Sequence, residues 1–119
     1  MKNIAKNTSP FTHVIADLIG VSTVHLRDTR LLSGLLIAAA GAAGFSTVGS
    51  PQVHQLPNDD VTGVLLLDGC HIALHAFPER ELLLLDVLST STRDTQKALD
   101  VFTRRLAPRH LRSESRGRG

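Results

Sequence analysis

Apolar and polar positions alternate along most of this chain, and the period changes from segment to segment. THVIADLIGV, residues 12–21, has the apolar centre of a strand. Further on, Leu32, Leu35, Leu36, Ala39 and Ala43 fall on one face of a helix. Asp28 precedes that run as an N-cap, and Gly41 and Gly44 loosen its end. FSTVGSPQVHQL, residues 45–56, is β-prone but broken at Gly49-Ser50-Pro51. After the turn cluster Pro57-Asn58-Asp59-Asp60 come VTGVLLLD (61–68), HIALHAF (71–77) and ELLLLDVLS (81–89). Short turns at Asp68-Gly69 and Pro78-Glu79-Arg80 separate these three strand candidates. Asp94 opens a last helix with Ala98, Leu99, Val101, Phe102 and Leu106 on its apolar side.

The order β-α-β-β-β-β-α predicts an α+β fold. Strands joined by short turns pair antiparallel. Two helices on one face of that sheet make a two-layer sandwich. The other face is left poorly covered, and the aliphatic run from Leu82 to Leu85 wants cover on both sides. A homodimer is therefore expected, with its site at or near the subunit boundary.

A length of 119 residues supports one domain and one core. Aromatic residues are only 3%, with no Trp and no Tyr, so that core must be aliphatic. A single cysteine excludes an intrachain disulfide framework and suits a reducing cytoplasm. No run reaches the roughly 18 apolar residues of a membrane span. Residues 31–45 come closest, but Ser33 and the small Ala/Gly positions from 38 to 43 make a poor lipid-facing helix. The start, MKNIAKNTSPF, lacks the apolar centre of a signal peptide. A cytoplasmic protein without membrane attachment is expected.

Charge is uneven. Residues 108–119 hold four Arg against one Glu, contributing +3 and leaving −1 on the rest of a chain whose net charge is +2. Their Pro, Ser, Gly and Arg content predicts a basic disordered tail. No aromatic residues interleave with the arginines, which argues against nucleic-acid binding. The expected organisation is a flexible N-terminus over 1–11, a folded domain over 12–107 and the tail over 108–119.

The candidate chemistry lies in LDGCHIALHAFPE, residues 67–79, which holds the only cysteine and two of the six histidines. A metal site of Cys70, His71 and His75 requires these side chains to converge. On a strand, His71 and His75 share a face but stand about 13 Å apart, too far for one ion with bonds of about 2 Å. No metal is expected. A buried, inert thiol is a second option, since free Cys is among the most buried residues. The third is a self-cleaving peptide bond between Gly69 and Cys70. The Cys70 thiol attacks the Gly69 carbonyl, and elimination then leaves a pyruvoyl group at residue 70. That ketone condenses with a substrate amine and draws electrons from a departing carboxylate. Gly69 reduces crowding at the attacked carbonyl and permits unusual turn angles.

VTGVLLLDGCHIALHAFPE followed by DVLST resembles the core of bacterial S-adenosylmethionine decarboxylases, which typically read V-S-G-V-V-V-x-x-E-S-H-x-S-I-H-T-W-P-E and then D-V-F-T-C. The likeness is strongest over 61–90 and weaker through THVIADLIGV and His54. It implies a two-layer α+β sandwich, usually dimeric, that makes its own pyruvoyl cofactor and supplies the aminopropyl donor for spermidine. On this resemblance Cys70 stands at the pyruvoyl precursor. Thr62 stands at a hydroxyl that supports self-processing, and His75 at the histidine that moves protons during it. Glu79 matches the acid of the W-P-E turn near the substrate. Each of the last three also has a plain role available, as strand residue, satisfied histidine and surface charge.

The departures are as informative. Gly69 replaces Glu, Cys70 replaces Ser, Ala73 and Ala76 replace hydroxyl residues, and Phe77 replaces Trp. Thr90 falls where the family has a cysteine expected to return a proton after decarboxylation, and a hydroxyl is a far weaker acid than a thiol of pKa about 8.5. Leu56 stands where an aromatic often stacks on adenine, leaving Phe77 as the candidate platform. Three functions follow. The first is decarboxylation of S-adenosylmethionine. The second is the same chemistry on ornithine or arginine. The third is an unprocessed, non-catalytic paralogue.

Overall fold

The computed structural model of the protein describes residues 9–119. Of the expected flexible stretch 1–11, residues 1–8 lie outside the described residues, while Phe11 already opens the first strand. The chain runs β1 (Phe11–Ile19), α1 (Thr23–Leu26), α2 (Thr29–Ala43), β2 (Gln52–Gln55), β3 (Val61–Leu66) and β4 (His71–Phe77). A 3₁₀ turn over Pro78–Arg80 then leads to β5 (Leu82–Thr90), α3 (Thr95–Leu106) and β6 (His110–Arg118). The six strands form one sheet in the order β2-β3-β4-β5-β1-β6, and every neighbouring pair is antiparallel.

Local chemistry explains the helix starts. The Asp28 side chain accepts from the Leu31 amide at 3.0 Å, and Asp94 accepts from the Lys97 amide at 3.2 Å. Each satisfies one of the amides that the first helical turn leaves unpaired. Gly44 closes α2 in the left-handed region at φ 80°.

Alternation sorts the strands into two faces. Val14, Ala16 and Leu18 on β1, Ile72, Leu74 and Ala76 on β4, and Leu83, Leu85 and Val87 on β5 are buried. They pack beneath Leu32, Leu35, Leu36 and Ala39 of α2 and Leu99 and Phe102 of α3 in one core. Burying a Leu, Ile or Val side chain there is worth about 1.5–3 kcal/mol. The opposite face carries His13, Ile15, Asp17, Thr62, His71, His75, Leu84 and Asp86, and no helix covers it. Leu83 and Leu85 thus face the helices while Leu84 stays 36% exposed.

Three details depart from expectation. The turn after β1 contains a one-turn helix, α1, which buries Leu26. Of residues 45–56 only β2 and an isolated bridge between Thr47 and Leu67 join the sheet. The largest correction concerns the tail. It is not disordered: β6 pairs with β1 from Ile19↔His110 to Phe11↔Arg118. All nine of its side chains are exposed, so composition correctly says that it buries no core. An edge strand is fixed instead by main-chain groups that any sequence carries. Ion pairs Arg112–Asp17 at 3.3 Å and Arg109–Glu81 at 2.9 Å add weak, solvent-screened support. A basic edge also discourages pairing with further strands.

Candidate active site

Cys70 occupies the turn that joins β3 to β4. The Leu67 amide donates to the Cys70 carbonyl at 3.0 Å, and the Asp68 amide donates to the Ser46 carbonyl at 3.1 Å. Gly69 takes φ 84°, the left-handed region that glycine enters without strain. A Cβ added there would meet no heavy atom within 4 Å, so the bond to Cys70 approaches open space. The Cys70 side chain itself is buried, at 7% exposure, toward the helix side. His71, the next residue, lies on the open face. The strand geometry of β4 thus sends Cys70 and His71 to opposite sides.

The remaining sequence-selected residues divide into groups along the sheet. Thr62 and His75 are direct cross-strand partners, and Thr62 Oγ1 lies 2.9 Å from His75 Nδ1. A hollow of about 260 Å³ beside them is lined by Gln52, His54, Thr62, Val64, Ala73 and His75. Phe77 ends β4, and Glu79 sits in the 3₁₀ turn that follows. Leu56 is exposed just beyond β2, its amide bonded to the Asp60 carbonyl at 2.7 Å. Register places Leu56, Phe77 and Glu79 toward the same end of the sheet, because Gln55 pairs with Val61 and Val61 with Ala76. Cys70 and Thr90 lie at the other end: His71 pairs with Leu88, and Thr90 closes β5 two residues on. The Thr90 hydroxyl is 3.1 Å from that of Thr92. Along β4, His75 is five residues from Cys70, about 16 Å. One protomer therefore does not bring Thr62 and His75 to the Cys70 turn.

The structure adds a cluster that sequence reasoning missed. On the open face His13 Nε2 is hydrogen-bonded to Asp86 Oδ1, and His71 Nε2 lies 3.6 Å from Asp86 Oδ2. Arg118, from the tail strand, places Nη1 3.3 Å from His13 Nδ1. The four side chains come from β6, β1, β5 and β4, which lie side by side. Arg118 and Gly69 also line a cleft of about 270 Å³ with Phe11, Leu88 and Gly119. A signal was available: His13 and Asp86 interrupt two strands that are otherwise largely aliphatic.

The profile described as S-adenosylmethionine decarboxylase matches residues 12–119. The chain belongs to that family. The match runs through β6, so the domain does not stop at residue 107 as expected from composition. The S-adenosylmethionine decarboxylase proenzyme of a Sulfurihydrogenibium species is 31% identical over 108 residues, covering 90% of this chain and 80% of the relative. The proenzyme of the same name from Persephonella marina is 32% identical over the same shares. The crystal structure of the adenosylmethionine decarboxylase from Aquifex aeolicus superposes with a TM-score of 0.85 at 28% identity, covering 94% of this chain and 92% of that one. S-adenosylmethionine decarboxylases are pyruvoyl-dependent enzymes, and the two-layer α+β sandwich is the architecture shared with the Aquifex protein. Among the described residues no helix is long and apolar enough to cross a membrane.

Proposed function

We propose that this chain is a proenzyme that cleaves itself between Gly69 and Cys70 and then decarboxylates S-adenosylmethionine as a homodimer. The observation that carries this is the Cys70 thiol beside an unobstructed Gly69 turn at φ 84°, in a family whose relatives are named proenzymes.

The residues fit a pyruvoyl group because its precursor carbon, sulfur and attacked carbonyl are already adjacent. Cys70 Sγ adds to the Gly69 carbonyl carbon, and the C–N bond breaks as the C–S bond forms. A base then takes the Cys70 α-proton, and the Cβ–S bond breaks with its electrons on sulfur. Residues 1–69 are left with a C-terminal thiocarboxylate. The new N-terminus of residues 70–119 takes up water, loses ammonia and becomes a ketone. When formed, that group supplies an electrophile for the substrate amine and a sink for the electrons released with CO2.

Thr62 and His75 suit the proton transfers of cleavage, since a hydroxyl 2.9 Å from a ring nitrogen can pass a proton. Their separation from Cys70 within a protomer supports assembly across the open face. A twofold pairing of two such faces would set one protomer's Thr62–His75 pair against the other's Cys70 turn. Leu56, Phe77 and Glu79, toward the Thr62–His75 end of the sheet, are the proposed substrate contacts and in that pairing would serve the other protomer's residue 70, with Phe77 the aromatic platform for adenine. Thr90, at the sheet end beside the turn, lines the reacting carbon's side without a readily transferred proton.

Denaturing mass spectrometry of purified protein tests cleavage directly. The expected result is two chains, 1–69 ending in a thiocarboxylate or its hydrolysed carboxylate, and 70–119 with a blocked N-terminus. Persistence of the intact 12.8 kDa chain after long incubation would overturn it and favour the non-catalytic paralogue. Release of CO2 from carboxyl-labelled S-adenosylmethionine, ornithine and arginine then assigns the substrate. Faster release from either amino acid would overturn the choice of S-adenosylmethionine.

A further inference from the structure

Decarboxylation leaves an electron pair on the substrate carbon, and a proton must be returned to it. Near residue 70 the hydroxyl of Thr90 is a poor source, because an aliphatic alcohol holds its proton too tightly at neutral pH. An imidazole is the side chain suited to that range. On the open face His71 directly follows the cleaved residue, and its partner Leu88 lies two positions before Thr90. His71 and Thr90 are therefore diagonal neighbours on one face, about 7–8 Å apart at the backbone. Within one protomer His75 lies about 13 Å beyond His71; in the proposed pairing a second protomer's His75 faces the Cys70 turn, but its Nδ1 is engaged by Thr62.

The surrounding polar chain fixes how His71 is held. Arginine has only donors. Its contact through Nη1 makes His13 Nδ1 an acceptor, so the His13 proton sits on Nε2 and is donated to Asp86 Oδ1. The other carboxylate oxygen faces His71 Nε2 at 3.6 Å. Asp86 Oδ2 thus faces the Nε2 edge of the His71 ring and leaves the Nδ1 edge turned away from the carboxylate. The side chain of His71 is one-third exposed, so a ligand can reach it.

We propose that His71 returns the proton to the decarboxylated carbon, and that the hydrogen-bonded chain Arg118–His13–Asp86, reaching His71 through the 3.6 Å Asp86–His71 contact, positions its ring. This rests on the pyruvoyl reading above. The step balances simply: the electron pair left by CO2 becomes a C–H bond, and His71 Nδ1 gives up one proton that solvent later restores. If the proton goes instead to the former ketone carbon, hydrolysis yields a substrate-derived aldehyde, and residue 70 becomes alanine.

That alternative gives a readout besides turnover. Parent, His71→Gln, Asp86→Asn and His75→Gln proteins are first scored for cleavage by mass. Cleaved protein is then incubated with S-adenosylmethionine, and the fraction of 70–119 chain beginning with alanine is measured per CO2 released. His71→Gln is expected to lower turnover by about a hundredfold or more and to raise the alanine fraction. Asp86→Asn should act in the same direction with a smaller effect, and free imidazole should restore turnover to His71→Ala. An uncleaved parent overturns the pyruvoyl reading and this proposal with it. A cleaved parent whose alanine fraction is unmoved by His71→Gln, or moved only by His75→Gln, overturns the proton route alone. Should His71→Gln remain uncleaved, the Asp86→Asn protein decides by the same measurement.

Discussion

The two faces of the sheet are written by the same strands and have opposite chemistry. Toward the helices β1 presents Val14, Ala16 and Leu18, none more than 4% exposed, while toward the open side it presents His13, Ile15 and Asp17. Strand β5 repeats the contrast, with Leu83, Leu85 and Val87 beneath the helices and Leu84 and Asp86 opposite. The covered face is stabilised by aliphatic burial, and the buried hydroxyl of Ser89 at its end is satisfied by donating to the Thr90 carbonyl at 2.6 Å. The open face collects imidazoles, carboxylates and hydroxyls whose value lies in their mutual geometry. Because side chains alternate with period 2, a face that stabilises the fold and a face free for chemistry come from one run of residues. Cys70 sits where the two meet: its sulfur points to the covered side, while its peptide bond turns through the open Gly69.

The strongest way to break this contrast is at that junction. Cys70→Ala removes the nucleophile without opening more than a small gap, so cleavage is expected to be lost entirely while the melting transition remains. Gel or mass analysis checks the first and thermal unfolding the second. Cys70→Ser should keep cleavage but leave no sulfur on residues 1–69.

Next in size is a core deletion. Leu74→Ala, on β4 and fully buried, should cost about 2–5 kcal/mol in denaturant unfolding. A cost below about 1 kcal/mol would mean that the covered face is not the chief source of stability. One face over, Leu56→Phe restores an aromatic surface beside the proposed adenine site. It should tighten S-adenosylmethionine binding by about 1–3 kcal/mol, the range of a base stacked on an aromatic side chain. Isothermal titration of an uncleaved Cys70→Ala background would show it.

The smallest expected effect on the monomer tests the open face itself. Leu84→Lys should change monomer stability by no more than about 0.5 kcal/mol, because the residue is exposed in a single protomer. If two open faces pair, the same change buries a charge and should shift sedimentation at micromolar concentration from dimer to monomer. Unchanged sedimentation would count against that interface.

Most of the architecture was legible in the chain. Helical spacing from Leu32 to Ala43, the caps at Asp28 and Asp94, and the short turns at Gly69 and Pro78 are local features, and the elements formed where they predict. The family frame around residue 70 was legible for the same reason, since its residues from Val61 to Glu79 are contiguous in sequence. The tail was misjudged because side-chain composition says nothing about whether β1 has a free edge for another main chain to pair with.

What the amino-acid sequence determined by itself was thus everything carried by near neighbours: element type, the buried side of each strand, the helix starts and the contiguous family motif around Cys70. Only the tertiary structure decided which distant residues meet. His13 reaches Asp86 across 73 positions and Arg118 across 105, through ladder pairing that no local period encodes. It likewise decided that Thr62 and His75 stay away from Cys70 within one protomer. Extension along a strand separates residues five apart by about 16 Å, whereas hydrogen bonding between strands brings residues far apart in sequence to about 5 Å.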